Sequence, residues 1–171
     1  MHRKTLCLLM GALFLSSASH ASEVDWTPFF KSWEDGCRQS EDFRAFIRGM
    51  ARSEGDSDFF TLGEVVLPEG YAEAVGDLSL VHQEREYSHF SLEVKEGSYY
   101  GVGVNEIVAY LGNRTGIATF LVELDVPYEE VSNALSHVEY SMVEEYSYAY
   151  GAEFVKSRST GNAMLMCDKS N

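Results

Sequence analysis

Three histidines, two cysteines and a run of tyrosines among acids are the residues whose types could do chemistry in this chain. His82, His89 and His137 are the histidines left once a leader carrying His2 and His20 is set aside. Histidine moves protons near neutral pH and ligates metals, but no HExxH, GxSxG, P-loop or CxxC frames these three. His89 takes a polar position in an alternating stretch, and His137 lies on the polar side of an amphipathic one. His82 lines up with Leu78 and Leu80, which makes it a core or rim residue rather than a ligand. Gly101-Val102-Gly103 lacks the third glycine and the helix that a dinucleotide would need, so a bulge or a close backbone approach is its expected role. Carboxylate pairs such as Glu84/Glu86 or Glu144/Glu145 follow from the abundance of acids and give no support to glycosidase chemistry. The acidic loop at 53–58 (SEGDSD) does not match the twelve-residue calcium pattern. The expectation is a protein without catalytic machinery, cofactor or metal.

The cysteines point to a staple. Cys7 falls in the leader, which leaves Cys37 and Cys167. An even pair in an oxidising compartment is expected to bond. Such a bridge ties the N-terminal helical region to the last strand. The tyrosines and acids suggest contact instead of chemistry. Glu144, Glu145, Tyr146, Tyr148 and Tyr150 sit close together near the end of the chain. Tyr supplies large contact area at low entropic cost, and an acidic rim steers a basic partner.

The leader is read from its own pattern. His2, Arg3 and Lys4 precede an apolar run at 6–15, and Ser19-His20-Ala21 offers a small-x-small cleavage site. Residues 1–21 are therefore expected to be a signal peptide, with 22–171 forming a single α+β domain. Ten apolar residues fall short of the about 20 that span a bilayer. The leader holds two of the 13 Lys+Arg and none of the 27 Asp+Glu, so the mature chain sets 11 bases against 27 acids, a net charge of −16. That field repels nucleic acid and anionic lipid and attracts basic surfaces. A periplasmic or secreted location follows.

The elements that must position these residues centre on residues 99–138. Two apolar runs, 102–111 and 117–124, flank Gly112-Asn113-Arg114-Thr115-Gly116 and read as a β-hairpin, with the Asn113 sequon taken simply as its turn. Apolar residues on both faces of 117–124 mark it as a central strand. Phe90, Leu92 and Val94 alternate with His89, Ser91, Glu93 and Lys95, the pattern of a strand with one wet face. Trp26, Phe30, Trp33 and Cys37 share one helical face, and Ser40 caps a second helix carrying Phe43, Phe46, Ile47 and Met50. A short strand is expected at 65–67. After Pro127 a helix is expected to about Glu145 with extended chain beyond it, then a closing hairpin at 153–157 and 163–167. The fold class is thus α+β: an antiparallel sheet of about five to seven strands against N-terminal helices and one later helix, with one disulfide.

Two function classes fit. One is an acidic binding protein of the inhibitor or immunity type, directed at a basic envelope enzyme such as a cell-wall hydrolase. The other is a small-ligand carrier or sensor, with Phe90, Leu92, Phe120 and Val122 lining a cavity between sheet and helix.

Overall fold

Ser40 opens the longest helix. Its hydroxyl accepts the Phe43 amide hydrogen at 3.1 Å, and Glu41 and Asp42 occupy the first turn, where the helix dipole favours acids. A computed structural model describes residues 23–53, 59–112, 114–145 and 148–170. In it this helix, α2 (Glu41–Met50), follows α1 (Thr27–Phe30) and a 3-10 turn at Lys31–Glu34. Pro28 sits in the first turn of α1, where no intrahelical N–H is needed. Trp26, Phe30, Trp33, Phe43, Phe46 and Met50 are fully buried. Trp33 meets Phe43 edge-on at 5.1 Å, and Phe43 meets Phe120 of the sheet at 5.2 Å. Such aromatic pairs add about 0.5–1.5 kcal/mol each beyond area burial.

The sheet beneath them is antiparallel and has seven strands. These are β3 (Val75–Gln83), β4 (Ser88–Val94), β5 (Ser98–Tyr99), β6 (Val102–Leu111), β7 (Ala118–Pro127), β10 (Glu153–Lys156) and β11 (Asn162–Asp168). Their spatial order is β10-β11-β7-β6-β4-β3, with β5 paired to the start of β6. The β6–β7 hairpin lies at the middle, as its two-sided apolar pattern requires. Phe90, Leu92, Ile107, Ala109, Phe120, Val122, Leu124 and Leu165 face the helices and are buried. Cys37 is bonded to Cys167 on β11, with Cα atoms 5.5 Å apart across 130 residues. The bond fastens the helical layer to the sheet. The described residues thus build one α+β domain, and no helix among them is long and apolar enough to cross a membrane.

Two small hairpins stand apart from the sheet: β1 (Ala51–Ser53) with β2 (Phe60–Leu62), and β8 (Val143–Glu145) with β9 (Tyr148–Tyr150). They correct two sequence expectations. The short strand forms at Phe60–Leu62 rather than at 65–67. There it pairs with β1, and Gly63 N–H extends the contact to the Met50 carbonyl at 2.9 Å. Val65 and Leu67 pack on the core from irregular backbone. The helix after Pro127 is only α3 (Val131–Ala134), and 143–145 is extended. Glu130 gives α3 no side-chain cap, and Ser132, Asn133, Ser136 and His137 are weak helix formers. The backbone then goes elsewhere: Ser141 N–H donates to the Glu34 carbonyl at 2.8 Å, and Gly36 N–H to the Ser141 carbonyl at 3.1 Å. Gly36 has φ +60°, and a Cβ there would stand 2.3 Å from Val143 Cγ2, so only glycine admits β8 at this point. The signal-peptide reading, the 54–58 part of the acidic loop, Asn113 and Tyr146 lie outside the described residues.

Candidate functional site: an acidic trough on the open face

The helices cover one face of the sheet, and the other face forms a hollow of about 470 Å³. Strand alternation decides which side chains share this face. On β4 the outward residues are His89, Ser91 and Glu93, since Phe90, Leu92 and Val94 point to the core. On β7 they are Leu121 and Glu123, between the core residues Phe120, Val122 and Leu124. β6 reaches the same face through a bulge. Val104 pairs with Leu124 but Glu106 pairs with Glu123, so Asn105 is an extra residue in the ladder. Val104 and Ile107 both face the core as a result, and Glu106, Val108 and Tyr110 are turned outward. Bulges that re-aim side chains in this way recur next to binding sites.

Register then builds a row of carboxylates. Glu93 is the direct partner of Glu106 across β4 and β6, and Glu106 is the direct partner of Glu123 across β6 and β7. The row continues through Met164 on β11 to Val155 on β10. Burial rises along it: Glu93 is exposed, Glu106 half-buried, and Glu123 only 5% exposed. Ser91 donates a hydrogen bond to Glu106. Among the described residues no ion pair reaches Glu106 or Glu123, and no hydrogen bond reaches the Glu123 carboxylate. Of the two bases on the trough wall, Lys156 is engaged with Glu129 at 2.5 Å, whereas Arg158 stands in the turn after β10. Like charges placed directly opposite destabilise a sheet. This arrangement is therefore costly to the fold and suited to receiving a cation.

Aromatic residues close one end. His89 stacks on Tyr110 with centroids 4.5 Å apart, and Tyr87 meets Tyr110 edge-on at 5.6 Å. Burial lowers the His89 pKa below its ordinary value against the opposing pull of Glu106, and His82 lowers it further. Burial likewise raises the Tyr110 hydroxyl, with Tyr87 and Glu106 adding to it. His82 corrects the sequence reading. A bulge between Leu80 and His82 lets His82 pair with His89, so it leaves the core face and lies exposed, 2.8 Å from Glu84. His82 and His89 are therefore neighbours. His137 is elsewhere, its ring edge-on to Tyr100 at 5.4 Å. Among the described residues no group of three or more His, Cys, Asp and Glu has the geometry of a metal site.

The tyrosine and acid run forms the β8–β9 hairpin. Glu145 pairs with Tyr148, Glu144 with Ala149, and Val143 with Tyr150. Glu144 is exposed, and Lys169 Nζ lies 3.7 Å from the centre of the half-buried Tyr150 ring. Four of the five expected contact residues thus share one small hairpin, with Tyr146 outside the described residues. Beside its root lies a satisfied polar cluster. Tyr99 donates to Glu34 Oε1 at 3.1 Å and shares a hydrogen bond with Tyr140 at 3.2 Å, while Lys31 sits 2.7 Å from Glu34 Oε2 and also bonds the Tyr100 hydroxyl. The Glu34 and Tyr100 bonds hold Lys31 protonated well above its usual range. Burial, the first cause at both hydroxyls, raises Tyr99 and pushes Tyr140 up to about 12. The fixed charges and saturated donors here hold the 3-10 turn, β5 and residues 139–141 together.

No family model, curated protein or solved structure matches this chain. The sequence reading names the hairpin residues as its contact candidates and does not include Glu93, Glu106 or Glu123 among them. Their common signal exists only after pairing, since the three lie on three different strands.

Proposed function

We propose that this is an exported acidic binding protein of the inhibitor or immunity type, whose partner is a basic envelope enzyme such as a cell-wall hydrolase. The observation that carries the reading is the Glu93–Glu106–Glu123 row, which no ion pair among the described residues reaches, on an open concave face of a chain with 27 acids and 13 bases. Unpaired acids opposite one another weaken the free protein and favour a complex with a cationic surface. The β8–β9 hairpin adds a second contact surface of tyrosine and glutamate. A pocket between sheet and helices, as a small-ligand carrier would need, finds no support in the packing. Phe90, Leu92, Phe120 and Val122 are buried in the aromatic core. The test is capture of basic proteins from an envelope fraction by the disulfide-bonded protein at low and high salt. Specific capture of one basic enzyme, with an association rate that falls steeply with salt, is the expected result. Retention of neutral or acidic proteins only would overturn the reading.

A further inference from the structure

We infer that the open-face trough is the seat of a single arginine side chain from the protein partner, held between Glu106 and Glu123. The inference rests on the proposed function and names the chemistry of its central contact. Glu123 is buried to 5% exposure and lines the hollow, and its carboxylate has neither an ion pair nor a hydrogen bond among the described residues. Glu106 stands directly opposite it with one oxygen occupied by Ser91. Two carboxylates on adjacent strands offer several acceptor lone pairs to one donor group. A guanidinium presents five N–H donors in a rigid plane and can bridge both carboxylates at once, whereas an ammonium is a point charge. The surroundings favour the same choice. Val108, Leu121 and Met164 make the adjoining wall apolar, and a guanidinium is the more weakly hydrated cation and loses less on entering such a site. The hollow, at about 470 Å³, is ample for one long side chain.

The protein's own Arg158 is the competing occupant, because it lies at the rim without an ion pair among the described residues. The experiment separates the two. N-acetyl-arginine methylamide is titrated into the disulfide-bonded protein at low salt, with NMR signals of Val108, Tyr110, Leu121 and Met164 as readout. Saturable shifts at these residues are expected, with none from the neutral citrulline analogue. Glu123→Gln should weaken the arginine probe by about tenfold or more, as the loss of a charge-assisted bond implies. Glu106→Gln should act in the same direction. Glu69→Gln, an exposed acid elsewhere, should leave binding within about twofold if the effect is local and not one of net charge. Arg158→Gln should leave it unchanged or tighter. Equal binding by parent and Glu123→Gln, or equal shifts from citrulline, would overturn the inference. So would probe binding that appears only in Arg158→Gln, which would make Arg158 the resident counter-ion. A saturable calcium site at the same signals would overturn it in favour of a metal. A basic enzyme that binds Glu123→Gln as tightly as the parent would remove the trough as its seat and leave the proposed function standing. A trough that takes the arginine probe in a protein that captures no basic partner would do the reverse.

Discussion

Glu106 and Glu123 are direct cross-strand partners at the middle of the sheet, and the more buried of the two has no ion-pair partner among the described residues. Stability and binding therefore pull in opposite directions at this pair. Glu123→Gln should stabilise the free protein by up to about 1 kcal/mol, the scale of a like-charge cross-strand pair. Glu106→Gln should gain less, since it also alters the bond from Ser91. Neutralising Glu123 after Glu106 should bring little more, because the acid opposite Glu123 is already gone and its other cross-strand neighbour is Met164. Urea melts of the two single variants and the double variant measure all three values. A Glu123→Gln variant less stable than the parent would mean that the carboxylate is paired in solution.

Phe120 ties the sheet to the helices through its edge-on contact with Phe43 at 5.2 Å. Phe120→Ala leaves a cavity in the aromatic core and should cost about 3–5 kcal/mol, and Phe90→Ala should cost a similar amount. Both residues face the helices, so neither variant should change the trough directly. A loss under about 1 kcal/mol at both positions would be incompatible with this packing.

Much of this core was legible from sequence because local pattern and tertiary position agree there. Ser40 is followed by two acids and an aromatic stripe, and 102–111 and 117–124 are apolar runs around a Gly/Asn turn. The trough was not legible, for a physical reason. Period-two alternation assigns faces only while a strand stays regular. The extra residue at Asn105 reverses the faces of β6, and the irregularity before His82 turns that side chain away from Leu80. Glu106 thereby reaches the face of Glu123, and no local window contains both. The misread helix after Pro127 has a related origin. Its heptad-like apolar spacing is real, but the pairing of Ser141 with the Glu34–Gly36 backbone overrides it.

The Cys37–Cys167 bond should be complete in the native protein. Thiol labelling of the denatured, unreduced chain should detect no reactive cysteine within residues 22–171. Reduction should remove on the order of 5 kcal/mol of stability, since the bond closes a loop of 130 residues. Two labelled thiols would show that the helical layer is held by packing alone.

His89 links the trough to pH. Burial lowers its pKa more than Glu106 raises it, and His82 acts with burial. As pH falls, the unfolded chain takes up the proton first, near the ordinary histidine value of about 6.5. The contribution of this site to stability is therefore intact above that value and is lost as pH falls through the lower folded value. Stability of the parent should drop more than that of His89→Gln between about pH 7 and about pH 5. NMR titration of the His89 ring gives a direct check, and a midpoint above the ordinary value would reverse the sign.

The β8–β9 hairpin makes the last prediction. Association with a basic partner should be steered by the acids, and residence should be set by the tyrosines. Glu144→Lys and Glu145→Lys should slow association and flatten its salt dependence, with little change in dissociation. Tyr146→Ala, Tyr148→Ala and Tyr150→Ala should act on dissociation. Tyr150 is a special case because Lys169 lies over its ring. Its removal also frees a cation beside the interface, so Tyr150→Ala should affect both rates. A double variant, Tyr150→Ala with Lys169→Ala, should recover the association rate alone. At least one of the three tyrosine changes should cost over about 2 kcal/mol of binding with the melting curve unchanged, as expected of a hot spot. If all five variants bind a genuine partner as tightly as the parent, the hairpin is ordinary surface and the interface is confined to the acidic row on the open face.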